Sequence, residues 1–236
     1  MDTVIQQHDS ATKAPQQKQD TGVADKGPAI GGTLVLLAAT GILGLISAAV
    51  NRGVTKEMDE KVREVLQAKR AAPVDAVVRP VTVLSLPILV VAATAGLVVW
   101  LHQQDRTEAA LAIGFAPVAA ATLGQTFTMV FPQRNPPDVA GDQGGQAVQA
   151  SFPSGHTTGV TAEALAIGYV LNRERLISPS VLALLLGWPF VVGATRLYRD
   201  RHWASDVLAG WVAGAAVAAC SALLYDTITA RKPDHT

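Results

Sequence analysis

The chain has 236 residues, of which 49% are hydrophobic and only 16% charged, with 19 basic side chains against 19 acidic ones. A net charge of zero leaves no basic stripe to neutralise a phosphate backbone, so nucleic acid is excluded as the main partner. The single cysteine, Cys220, rules out an intrachain disulfide and reads as a small packing residue in a late apolar run.

Residues 1–28 are rich in Gln, Asp, Lys and Thr and carry no aromatic side chain. Such a segment cannot bury enough apolar surface to fold and is expected to be a disordered tail. No apolar stretch follows Met1 closely, so it does not read as a secretory signal. Beyond it the apolar residues collect into runs to be measured against the ~20 residues that cross a bilayer. Six runs qualify: 30–50, 77–101, 109–131, 156–171, 178–198 and 204–225. Arg79 lies at the edge of the second, and Trp100 is placed there like an interfacial aromatic. The expected fold is all-α: a polytopic membrane protein with a six-helix transmembrane bundle over 29–228 and a short tail at 229–236.

Between the first two runs, Met58, Val62, Val65 and Leu66 recur at helical spacing among Lys and Glu. This predicts an amphipathic helix, either at the membrane interface or as a solvated connector. Its loop carries Arg52, Lys56, Lys61, Arg63, Lys69 and Arg70, and the positive-inside rule would keep it cytoplasmic. Parity is more useful. The polar segments 132–155 and 198–203 are separated by two crossings, so both open on one face and their residues can converge.

The first segment ends in "FPSGHTTG". Ser154 and Gly155 at a helix start are expected to offer backbone N–H groups and the positive end of the dipole to an anion. His156 then stands in the first turn, able to exchange a proton near neutral pH. The second segment is "ATRLYRDRHWASD". His202 and Asp206 are four apart and share a helical face. An Asp accepting from one ring nitrogen would fix the tautomer and leave the other nitrogen free as a nucleophile. A hydrogen-bonded structural pair or a pair of metal ligands fits the same spacing. Arg196 adds a planar fork that matches two phosphate oxygens.

Taken together, Pro153-Ser154-Gly155-His156 and T-R-x5-H-x3-D at Thr195, Arg196, His202 and Asp206 resemble the type 2 phosphatidic acid phosphatase family. That superfamily also includes undecaprenyl-diphosphate phosphatases and soluble vanadium haloperoxidases, and the six runs disfavour the soluble branch. The resemblance departs at the first family motif, K-x6-R-P. Its nearest counterpart uses Arg134, with Asn135 intruding before Pro136 and Phe127 at the lysine position.

The resemblance implies hydrolysis of a phosphomonoester or diphosphate of a lipid through a phosphohistidine, without metal or other cofactor. His202 would be the nucleophile, steadied by Asp206, and His156 the acid and then the base. Arg134, Arg196 and the Ser154 and Gly155 amides would hold the phosphoryl oxygens. The implied partners are a lipid phosphate substrate and membrane lipids; no oligomeric state follows. The family also implies a cell-membrane location with an outward-facing site, against the charge count of the 51–75 loop. The missing lysine motivates a rival reading, a weakened member that binds or moves lipid phosphates. A metal enzyme built on His156, His202 and Asp206 is a second rival. Glu163, an acid inside the fourth run, stays outside the catalytic set. Gly210 and Gly214 form a small-x3-small pair expected to seat a neighbouring helix within the chain.

Overall fold

The computed structural model describes residues 27–131, 136 and 151–231. Eight helices are described and no strand accompanies them among these residues. They are α1 (Gly27–Asn51), α2 (Lys56–Gln67), α3 (Ala72–Leu84), α4 (Pro87–Gln103), α5 (Thr107–Val130), α6 (Gly155–Arg173), α7 (Pro179–Tyr198) and α8 (Ala204–Thr229). The tail expected over 1–28 and the end of the chain past 231 lie almost wholly outside the described residues.

The helices are inverted relative to a water-soluble bundle. Large apolar side chains such as Leu37, Leu45, Ile88, Val118 and Leu184 point outward. Alanines and other small residues fill the middle, where Ala116, Ala120, Ala162, Ala166, Val217 and Ala218 form one core cluster. An exterior of that kind is stable in lipid and would aggregate in water. This is a membrane protein. Helices α1, α5, α7 and α8 are each long and apolar enough to cross a bilayer.

The six expected crossings are therefore only partly recovered. The second run is not one straight helix: α3 and α4 meet at a bend of 51°. Pro87 explains the break, because a residue preceding proline is disfavoured in the α region and Leu86 adopts ψ 131°. Counted as one bent span, the pair brings the total of candidate crossings to five. The sixth, α6, has 19 residues and is diluted by Thr157, Thr158, Thr161 and Glu163, all buried inside the bundle. Its polarity is a consequence of facing protein rather than lipid.

Helices α6 and α8 form the central pair. The Gly210–Gly214 face makes their approach possible. A Cβ on Gly214 would stand 2.5 Å from the Thr161 Cβ, and one on Gly210 would stand 2.9 Å from the Thr157 Cβ. The pair seats an internal helix, as its spacing suggested. This packing also brings the starts of α6 and α8 side by side at one end of the bundle.

The amphipathic segment is helical, and its apolar stripe is divided between the protein and the exterior. Met58 and Val65 are exposed, whereas Asp59 is buried, with Val62, Arg63 and Leu66 half-buried. Helix α2 lies against α7 and α8.

Candidate functional site

The two polar segments meet. The backbone N–H of Ser154, at the N-cap of α6, donates to the Asp206 carbonyl at 3.0 Å and ties the first turns of α6 and α8 together. The His202 ring reaches the same junction from the loop before α8. Its Nδ1 lies 3.1 Å from the Ser151 carbonyl. A carbonyl only accepts, so Nδ1 carries the proton and the lone pair sits on Nε2.

That contact corrects the expected role of Asp206. Its Oδ2 is 3.7 Å from His202 Nδ1, too long for a hydrogen bond. The same oxygen accepts instead from the Trp203 N–H at 3.0 Å, closing the first turn of α8. Asp206 thus fixes the loop in which His202 stands and supplies a nearby negative charge, while Ser151 sets the tautomer. Sequence reasoning had no means of finding Ser151, because it acts through a carbonyl that every residue possesses.

The Ser154 amide needs a second correction. It is already bonded to Asp206, so it is not available to an anion. The Ser154 side chain is also engaged, accepting from Thr157 Oγ1 at 2.9 Å. Gly155, the first helical residue, is exposed and keeps the N–H that a helix start leaves without an intrahelical acceptor.

Arg196 completes the group from the last turn of α7. It is 5% exposed, and its Nε and Nη2 have no hydrogen-bond partner among the described residues. A buried guanidinium with unmet donors is costly, and such groups are rare unless an anion answers them. His156 lies within electrostatic reach of both Arg196 and His202. With Pro153 and Gly155 it also lines a cavity of about 310 Å³ bounded by α4, α5 and α6. Glu163 lines that cavity two turns further along and accepts a hydrogen bond from Thr94. Among the described residues, no three His, Cys, Asp or Glu side chains are grouped to hold a metal ion.

The sequence profile of the PAP2 superfamily matches residues 107–230, a little over half of the chain. The chain belongs to the PAP2 superfamily. The matched stretch covers α5 to α8 and so contains every described residue of the junction. Human phospholipid phosphatase 2 is 35% identical over 108 residues, which are 43% of this chain and 35% of that protein. The chain thus matches only about a third of its relative's length. Among solved structures, the transmembrane PAP2-type phosphatidylglycerolphosphate phosphatase of Bacillus subtilis superposes with a TM-score of 0.65 at 15% identity, covering 85% of this chain and 98% of that one. LpxE of Aquifex aeolicus gives a TM-score of 0.53 at 21% identity over 70% of this chain and 94% of that one. At these identities the superpositions establish a shared fold.

Arg134, the expected arginine of the first PAP2 motif, lies outside the described residues. Phe127, expected at that motif's lysine position, is described. It stacks on Phe131 with ring centroids 5.1 Å apart, and both rings pack on Phe152. Phe152 is fully buried directly before the Pro153-Ser154-Gly155-His156 turn. An aromatic cluster supports that turn.

Proposed function

We propose that this PAP2 protein is an integral-membrane phosphatase that hydrolyses a phosphomonoester or diphosphate of a lipid through a phosphohistidine. The observation that carries the reading is Arg196: a buried cation with unmet donors among the described residues, within electrostatic reach of His156, which in turn is within reach of His202, the arrangement a phosphoryl group requires. In this mechanism Nε2 of His202 attacks phosphorus and the bond from phosphorus to the lipid oxygen breaks. His156 gives its proton to the departing oxygen. Water then attacks the phosphohistidine, His156 takes a proton from it, and the P–N bond breaks to release phosphate. Arg196, Arg134 and the Gly155 amide hold the equatorial oxygens, and Asp206 steadies the His202 loop. No step calls for a metal.

The same reading takes the bent α3–α4 pair and α6 as two further crossings, giving six. It sets the residues of 29–228 in one phosphatase domain and the site at the extracytoplasmic face of the cell membrane. The basic loop before α3 is less of an obstacle to that orientation than its composition suggests. Arg63 is paired with Asp200 at 2.7 Å, and Arg70 Nε donates to the Tyr198 carbonyl at 3.3 Å. Phosphatidate, phosphatidylglycerophosphate and polyprenyl diphosphates share the headgroup logic. The cavity beside His156 offers an apolar lining to whichever chain follows it.

Phe127 motivates a second reading, since an aromatic ring supplies no charge to a bound phosphate. A weakened member would bind or move lipid phosphates without cleaving them. One assay separates the two: phosphate release from a panel of lipid phosphates in detergent micelles with excess chelator, for wild type and His202→Ala. The phosphatase reading expects wild-type release that the chelator leaves intact and that His202→Ala lowers by more than about 10³-fold. Lipid binding with no release from any substrate would establish the second reading, and equal turnover in the two proteins would remove His202 as the nucleophile.

A further inference from the structure

The loop that carries His202 is not self-supporting. Residues 199–203 are outside any helix, and Asp200 adopts a left-handed φ of 55°. That region is unfavourable for a residue with a Cβ and needs support from the surroundings. The Asp200 carboxylate is also buried, at 1% exposed.

The support comes from α2 and the turn after it. Arg63 forms a two-pronged pair with Asp200, Nη2 to Oδ2 at 2.7 Å and Nε to Oδ1 at 2.8 Å. One turn earlier on the same face, buried Asp59 accepts twice from Ser205, from the backbone N–H at 2.8 Å and from Oγ at 2.9 Å. At the far end, the Tyr198 hydroxyl accepts from the Ala71 N–H at 3.1 Å. The three contacts bracket His202: one before the loop, one in its middle, one immediately after it. They also explain why α2 buries Asp59 and half-buries Arg63 beside Val62 and Leu66.

We infer that α2 is a clamp that presents His202 to the phosphoryl group, with Asp59 and Arg63 as positioning residues. This rests on the phosphatase reading for its kinetic consequence. Neither side chain touches the substrate; Arg63 acts through the Asp200 carboxylate and Asp59 through Ser205, on either side of His202. Two planar, charge-assisted contacts on adjacent turns define both the height and the rotation of the loop, which a single contact would not do. The His202 Nε2 lone pair must point along the line of attack, and a displacement near 1 Å costs on the order of 10²-fold in rate.

The test uses the full chain in detergent with Asp59→Asn, Arg63→Lys, Arg63→Ala, Asp200→Asn and the Arg63→Ala/Asp200→Asn double variant. Lysine keeps the charge of Arg63 but lacks its fork, so Arg63→Lys separates geometry from charge. Turnover is normalised to the folded fraction from gel filtration and a melting curve. The clamp expects kcat to fall by roughly 10- to 10²-fold with KM within about twofold, and the double variant to lose no more than the worse single one. A second readout is the affinity for orthovanadate, which mimics the five-coordinate phosphoryl transition state, followed by vanadium-51 NMR. It should weaken by a similar factor in the same variants.

Wild-type kcat in folded Asp59→Asn and Arg63→Ala, or a loss explained by the unfolded fraction alone, overturns the clamp. A wild type that binds vanadate but hydrolyses no lipid phosphate overturns the phosphatase reading alone, and the variants' vanadate affinities then decide the clamp. A wild type that neither binds nor hydrolyses overturns both.

Discussion

The two ends of the helix bundle use charge in opposite ways. At the end where α6 and α8 finish, the half-buried carboxylates Glu174 and Asp226 are both bonded. Arg106 pairs with Glu174, the Tyr225 hydroxyl donates to Glu174 at 2.5 Å, and the Tyr169 hydroxyl donates to Asp226 at 2.8 Å with Arg173 nearby. At the end where the same two helices begin, Arg196 is more deeply buried than Arg106 and keeps unmet donors. A saturated network stabilises a fold; an unsaturated one is held ready for something that arrives later. The contrast separates structure from function between the two ends of one bundle.

Substitutions can break or sharpen that contrast. The largest effect is expected from Arg196→Met. Removing one preorganised donor for the phosphoryl oxygens should lower kcat by about 10²–10³-fold. Because the arginine is buried without full partners, an apolar side chain of similar length should leave the melting temperature unchanged or raise it. A fall in melting temperature with little change in turnover would move Arg196 to the structural class and weaken the comparison.

Tyr225→Phe is the mirror experiment. It deletes a hydrogen bond to a carboxylate at the saturated end and should cost about 1–2 kcal/mol of stability with no change in turnover per folded molecule. Denaturation in detergent together with initial rates measures both quantities, and altered kcat would show that the far end is coupled to the site.

Glu163 lies between the two ends, bonded to Thr94 yet lining the cavity beside His156. Glu163→Gln preserves shape and the contact with Thr94. It should keep turnover within about twofold, since no step of the proposed chemistry needs that carboxyl. A loss well beyond this at constant stability would bring Glu163 into the site.

Much of this organisation could be read in advance. Apolar runs marked the helices because a bilayer demands length and hydrophobicity from each crossing, and α1, α5, α7 and α8 meet that demand. The pairing of two motif loops followed from counting crossings between them. Reading failed where the outcome depended on a neighbour. Helix α6 is less apolar than the other spans because its Thr and Glu side chains are buried inside the bundle, where Thr157 bonds to Ser154 and Glu163 to Thr94. Along α2, two polar contacts with the segment around His202 decide which face turns inward, so Val62 and Leu66 are half-buried while Met58 and Val65 stay exposed. Spacing and motif brought Asp206 within 3.7 Å of His202 Nδ1, but the hydrogen bond itself goes to the Ser151 carbonyl.

What the residues determined by themselves was the chemical inventory and its polarity: two imidazoles, an arginine fork, a glycine-led helix start and enough apolar length to carry them into a membrane. Helical period and hydrophobic transfer are local properties, so they can be read along a chain. Only the folded arrangement decided which carbonyl orients His202, which amide is already bonded, and that α2 grips the loop. Those outcomes depend on distances between segments as much as 146 residues apart, such as Asp59 and Ser205, and no local pattern encodes a distance of that kind.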